Sequence, residues 1–287
     1  MEQLTTLEGH RKGIETLLVS GSTLFSGSRD KSIRLWDLLS RQHLGSLKGH
    51  RGSVSALVLS GDSKTLYSGS GDGTVRSWEV DKRRHLETLE GHEEVCVYAL
   101  ALSGTKLFSS GGDGRICVWD VGRRVATQLW TLGGHAKAVY ALAACGDTLF
   151  SASDDGTIKV WSASNFDELW TIRGYRADAL LCSGSRLFAG CRDNVLRVFA
   201  TTDYSLSAQL EGHTESIAAL AADGSTLFSS DDETIRLWDL NTLRPKPTAT
   251  LDGAGNEVFA LGGTELYSGS PDDTAIRVWQ PKVAADA

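Results

Sequence analysis

The chain has little methionine or proline: one Met and four Pro in 287 residues. It has no C-x-x-C pair, no run of basic residues and no apolar stretch near the ~20 residues of a membrane span. Each absence removes a class of function. Five scattered cysteines (Cys96, Cys117, Cys145, Cys182 and Cys191) predict reduced thiols rather than a disulfide framework, and no metal site. MEQLTTLEGH lacks the basic-then-apolar order of a signal peptide, so a cytoplasmic location is expected, with the nucleus as the alternative. Lys plus Arg number 29 against 36 Asp plus Glu, a net charge of −7. An acidic chain with no basic run predicts neither a nucleic-acid nor an anionic-membrane partner. With 41% hydrophobic and 23% charged residues it is not a disordered chain.

The excesses are 31 Gly, eight Trp and seven His, and most of the Trp and His mark a repeat. LFSGSRDKSIRLWD (residues 24–37) returns six times in altered form, anchored on Trp36, Trp78, Trp119, Trp161, Phe199, Trp238 and Trp279. The anchors recur every 38–42 residues, and a Gly-His precedes five of them: Gly9-His10, Gly49-His50, Gly91-His92, Gly134-His135 and Gly212-His213. Segments such as SIRLW and TIKVW alternate with a period of two, which predicts strands, and Ser-Gly, Gly-Asp and Asp-Gly turns separate them. No segment carries a capped helical stripe. Each unit therefore predicts four short strands. A single four-stranded sheet cannot bury both faces, so the units must stack, and seven closing radially leave only short edges.

These residues resemble the WD40-repeat family, with its GH…WD signature and its period of ~40–45 residues. The fold class implied is all-β, a seven-bladed propeller over residues 1–281 with a short tail at 282–287. EQLTTL (residues 2–7) occupies the place of the strand before a Gly-His, so the resemblance implies that it pairs into the last blade and closes the ring. VSGSTLFSGS and VYALA are closest in flavour to propellers of TRAF-class RING ubiquitin ligases and myosin heavy-chain kinases.

Recurring His, Ser and Asp imitate catalytic triads. The resemblance instead assigns them, with the anchor Trp, to structural hydrogen-bonded tetrads: His10, Ser26, Asp30, Trp36; His50, Ser68, Asp72, Trp78; His92, Ser109, Asp113, Trp119; His135, Ser151, Asp155, Trp161; and His213, Ser229, Asp232, Trp238. The aspartate in each is the one six residues before the anchor, and which serine of S-x-S takes part stays open. No catalytic residue, metal or cofactor is expected. The fifth repeat departs from the pattern with Tyr175, Ala189 and Phe199, and the seventh with Ala254 and Pro271. Gly111–Gly114 (GGDG) reads as a tight turn, since no G-K-[ST] follows it. The cations two before the anchor (Arg34, Arg76, Lys159, Arg197, Arg236, Arg277) read as packed, solvated strand positions. Trp130 and Trp170 share an outer-strand slot and are expected to pack within the blade edge.

If tetrads hold the scaffold, function belongs where the repeats differ. The resemblance implies a protein or peptide partner bound on one face, through two slots. One is the residue after the first apolar position of the inner strand, contributing Glu15, Tyr98, Tyr140, Asp178 and Phe259. The other precedes the turn aspartate, contributing Arg29, Asp154, Arg192, Asp231 and Asp272, with Arg176 near Arg192. Tyr beside Arg is the composition of interface hot spots. SGSRD places Arg29 where F-box propellers hold a phosphodegron, but Glu15 and Ser55 stand where companion arginines would be, so no phosphate clamp is implied there. The function expected is a non-enzymatic scaffold or adaptor, a monomeric propeller within a larger complex. The alternatives are a substrate-recognition subunit of a ubiquitin ligase or kinase assembly, or a purely architectural oligomer.

Overall fold

Alternation along SIRLWD sends Ile33 and Leu35 into the interior while Ser32 and Arg34 stay half-buried, and the same two-residue rhythm runs through every repeat. The computed structural model describes residues 2–93, 95–252 and 258–280, and it folds into seven four-stranded antiparallel sheets. The first blade is Ile14–Ser20, Thr23–Ser28, Ser32–Asp37 and His43–Lys48, in sequence order from the inside outward. Blades two to six repeat that order within 54–90, 97–132, 139–173, 177–210 and 219–252. The seventh takes three strands from 258–280 and its outer strand from Glu2–Leu7, with Leu7 opposite Ile276. Inner strands of successive blades touch all the way round, the seventh meeting the first. The sequence-predicted tail at 282–287 and the Ala254 position lie outside the described residues.

The core lies between blades. Tyr67, Val75 and Leu89 of blade two pack with Val97, Leu107 and Trp119 of blade three. At the closure, Leu7, Tyr267, Ile276 and Val278 pack with Ile14, Leu24 and Trp36. Burial of such side chains contributes roughly 1.5–3 kcal/mol each, and no blade can realise it without a neighbour. The glycine of Gly-His serves the anchor: a Cβ on Gly91 would lie 2.8 Å from the Trp119 ring. The residue after the turn aspartate is left-handed in blades one to five (Lys31, Gly73, Gly114, Gly156 and Asn194, φ 68–81°), which explains the recurrent Asp-Gly.

Three expectations need correction. Cys145 and Cys182 are joined by a disulfide (Cα–Cα 5.8 Å), because the neighbouring inner strands of blades four and five bring Cys145, the last residue of one, beside Cys182, the second-last of the other. Cys96, Cys117 and Cys191 are free, and burial pushes the thiols of Cys117 and Cys191 up to about 11. Lys159 and Arg197 are buried rather than solvated, lying over Trp161 and Tyr175 respectively. Trp130 and Trp170 remain 59% and 55% exposed, Trp170 leaning on Tyr204 of the next blade.

Candidate functional site at the mouth of the ring

In blades one to four and in blade six, His Nδ1 lies 2.7–3.1 Å from an aspartate oxygen. The same histidine's Nε2 lies 2.6–2.9 Å from a serine Oγ. That Oγ accepts the anchor's indole N–H at 2.8–2.9 Å. In blade one the partner is Ser26, the first serine of its S-x-S, whereas Ser28 accepts the Asp30 amide and donates to the Lys12 carbonyl. A neutral imidazole completes the chain: Trp N–H donates to Ser, Ser O–H to His Nε2, and His Nδ1–H to Asp. A second imidazole proton, on Nε2, would meet the serine O–H that this arrangement donates to it. Each serine is fully buried, so these sets present no exposed nucleophile.

Burial pushes the imidazoles of His10, His135 and His213 below their ordinary pKa of 6.5, against the opposite pull of their aspartates. Burial alone would raise Asp30 and Asp155, but hydrogen bonds from Ser32 and the Arg11 amide, and from Thr157 and the Ala136 amide, each joined by the histidine, outweigh it and hold both at about 2. Both kinds of group thus have folded-state pKa values below their unfolded ones. Their stabilisation is complete above about 6.5 for the histidines and about 4 for the aspartates, and is lost as pH falls. The urea midpoint is therefore expected to decline gently below about pH 6.5 and steeply below about 4; a midpoint that rises between pH 7.5 and 5 contradicts the neutral-histidine tetrad.

The sixth blade departs from the spacing rule. His213 binds Asp231, not Asp232, and Asp231 is 0% exposed, also accepting the amides of Glu233 and Thr234 and the Thr234 hydroxyl. Asp232 points to solvent. The turn has lost two residues before its aspartate and gained one after it, so a count back from the anchor lands one residue late. Asp231 is thereby removed from the partner face. In blade five, Phe199 has no N–H to satisfy, and Ala189 replaces the serine that would accept it. Tyr175 packs on Phe199, and Arg197 covers Tyr175 while gripping Asp193 with two bonds of 2.7 Å. The seventh keeps the Trp279–Ser268 bond (2.7 Å), while Asp273 pairs with Arg277.

Glu15, Ser55, Tyr98, Tyr140, Asp178 and Ala218 converge on one opening of about 370 Å³ at the end of the ring's axis, with Arg192, Val258 and Pro271. In blades one to five the inner strand has a register shift at this slot, as between Val97 and Ala99 or Val139 and Ala141. The extra residue of the bulge is turned out of the ladder toward the mouth. Phe259 does not join them. It pairs with Ser268 and is 7% exposed, in the core with Phe228 and Leu266; blade seven offers Val258 instead. Two residues separate the sequence alignment from the true register, a slip that strand alternation cannot reveal. Val258 and Pro271 carry no sequence signal for this position.

Tyr98, 36% exposed, lies against Tyr140 with ring centroids 5.0 Å apart. The Arg192 guanidinium sits 5.0 Å from the centre of the Tyr140 ring and binds Asp178 at 2.9 Å and Asp154 at 2.8 Å. Partial burial would lower its pKa, but Asp178, Tyr140 and Asp154 raise it. Arg176 is 4.0 Å from Asp154. Across the ring Arg29 binds Glu15 and the Pro271 carbonyl, with Asp272 3.5 Å away. The two inner-strand carboxylates that reach the mouth, Glu15 and Asp178, are thus both tied to arginines.

The family pattern described as WD domain, G-beta repeat matches residues 1–37, 41–79, 83–120, 126–162 and 204–239. The unmatched stretches contain most of blades five and seven, where the tetrad is altered. The chain is 41% identical over 64 residues to Protein FIZZY-RELATED 1 of Arabidopsis thaliana, covering 22% of this chain and 14% of that protein. It is 45% identical over 53 residues to Protein MAK11 of Saccharomyces cerevisiae, covering 18% and 13%. With the kinesin-like protein KIF21B of Mus musculus it shares 35% over 57 residues, 20% of this chain and 3% of that one. The matches thus span no more than 14% of these relatives' own length. With a family pattern recurring along most of its length and seven blades closed by its first strand, the chain belongs to the WD40-repeat family.

Proposed function

We propose that the chain is a non-enzymatic scaffold that presents a peptide or protein at the mouth of the ring, on the surface around Tyr98 and Tyr140. The paired tyrosines carry this reading. They are partly exposed, packed against each other at a tilt and held by Arg192, so they offer rigid aromatic area whose ordering cost has already been met in the free protein. The ion pairs at Arg29 and Arg192 form a polar rim around them.

Affinity capture from source lysate with the Tyr98→Ala/Tyr140→Ala protein is the test. Both side chains lie outside the inter-blade cores, so the variant should melt like the wild type and still lose partner retention by roughly tenfold or more. Equal retention of the same partners places the contact elsewhere on the propeller.

A further inference from the structure

Beside the mouth, between blades four and five, lies a cleft of about 570 Å³ lined by the Asp155–Thr157 turn, Arg173, Gly174, Arg176, Arg192 and Asp193. Its charges are unevenly satisfied. Asp155 accepts from His135, the Ala136 amide and Thr157, and Asp193 is held on both oxygens by Arg197. The Arg173 guanidinium, by contrast, has no hydrogen-bond or ion-pair partner among the described residues, and the closest carboxylate oxygen to Arg176 is 4.0 Å away. Two guanidiniums therefore face the cleft largely uncompensated, with Arg192 as a third.

The repeats provide an internal comparison. The corresponding groove between blades two and three is lined by Glu90 and Glu93 where this one has Arg173 and Arg176. Between blades one and two the same places hold Lys48 and Arg51, with Gly71 in place of Arg192. Three arginines meet only between blades four and five. There the fifth blade has also exchanged its tetrad for the Tyr175–Arg197–Asp193 stack, in which both oxygens of the exposed Asp193 carboxylate are taken by Arg197.

We propose that this cleft binds a phosphorylated side chain of a peptide partner. The proposal deepens the scaffold reading, since Arg192 lines both the cleft and the tyrosine-bearing mouth. A phosphoryl group carries about −1.5 to −2 charge and three acceptor oxygens, which matches the planar forks of Arg173 and Arg176; a carboxylate satisfies only one.

The test is calorimetric titration of the full chain with three short Gly/Ala peptides carrying a central phosphoserine, glutamate or serine. The phosphoserine peptide should bind at least roughly tenfold more tightly than the glutamate peptide, and Arg173→Gln/Arg176→Gln should lower its affinity by roughly tenfold or more. Arg51→Gln, in the groove between blades two and three, should leave it unchanged. Both cleft arginines are exposed, and the ion pair of Arg176 with Asp154 is a long 4.0 Å one, so the double variant should melt like the wild type. Absence of phosphopeptide binding, equal binding of the glutamate peptide, or unchanged affinity in the double variant overturns the proposal. The peptides do not depend on Tyr98 and Tyr140. If they fail while Tyr98→Ala/Tyr140→Ala still loses its partner, the cleft reading falls and the scaffold reading stands; the reverse result separates them the other way.

Discussion

Trp119→Ala is expected to lower the unfolding free energy by about 3–5 kcal/mol, measured by urea denaturation at pH 7.5. The indole is 3% exposed and lies in the cluster that joins blades two and three, so its removal opens a cavity between two sheets rather than within one. Gly91 has already yielded its side chain to that ring and cannot refill the space. The lost bond to Ser109 (2.9 Å) leaves a buried hydroxyl with one partner fewer. Trp119→Phe should cost less, about 1–2 kcal/mol, because most of the area stays buried and blade five already uses Phe199 at this position. A loss below about 1 kcal/mol for the alanine variant would show that the anchors do not hold neighbouring blades together.

Asp231→Ala should cost about 3 kcal/mol or more, and Asp232→Ala no more than about 0.5. Removing the Asp231 carboxylate strands the His213 N–H, two backbone amides and the Thr234 hydroxyl in a site without solvent. Buried donors left without partners cost more than the bonds contributed. Asp232, one residue on, is exposed. Asp231→Asn is the gentler comparison: it keeps an acceptor oxygen and should retain part of the stability. If the two alanine variants exchange places, the sixth blade follows the spacing of its neighbours and the observed turn is wrong.

This pair of aspartates shows where sequence spacing stops informing. In the other four tetrad blades the serine, aspartate and anchor keep constant intervals, because one turn geometry joins the second and third strands. Their hydrogen bonds are local to a blade, so the tetrads that the family resemblance implies fall on the residues those intervals mark. The sixth turn changes its length on both sides of the aspartate, so an interval counted from the anchor picks the wrong carboxylate, although both sit side by side in the sequence. Phe259 fails for a related reason. A two-residue slip along a strand keeps every side chain on its face and moves it by about 7 Å, from the mouth into the core. The five bulges that turn Glu15, Ser55, Tyr98, Tyr140 and Asp178 toward the mouth leave no mark in composition, yet they are what gathers those residues.

The sequence by itself determined the repeat, its strands, the seven units, the closure by residues 2–7 and four of the five tetrads. The repeat, its strands and the number of units rest on alternation, turn chemistry and intervals of some forty residues; the closure and the tetrads came from the resemblance those intervals carry, with the choice of serine left open. Only the tertiary structure decided what the blades do to one another. It joined Cys145 to Cys182, set Tyr98 against Tyr140, placed Arg192 over Tyr140 and left Arg173 and Arg176 facing a cleft. Contacts between blades depend on the angle and offset at which whole sheets meet, and those follow from packing volumes across the interface rather than from the order of residues along either strand.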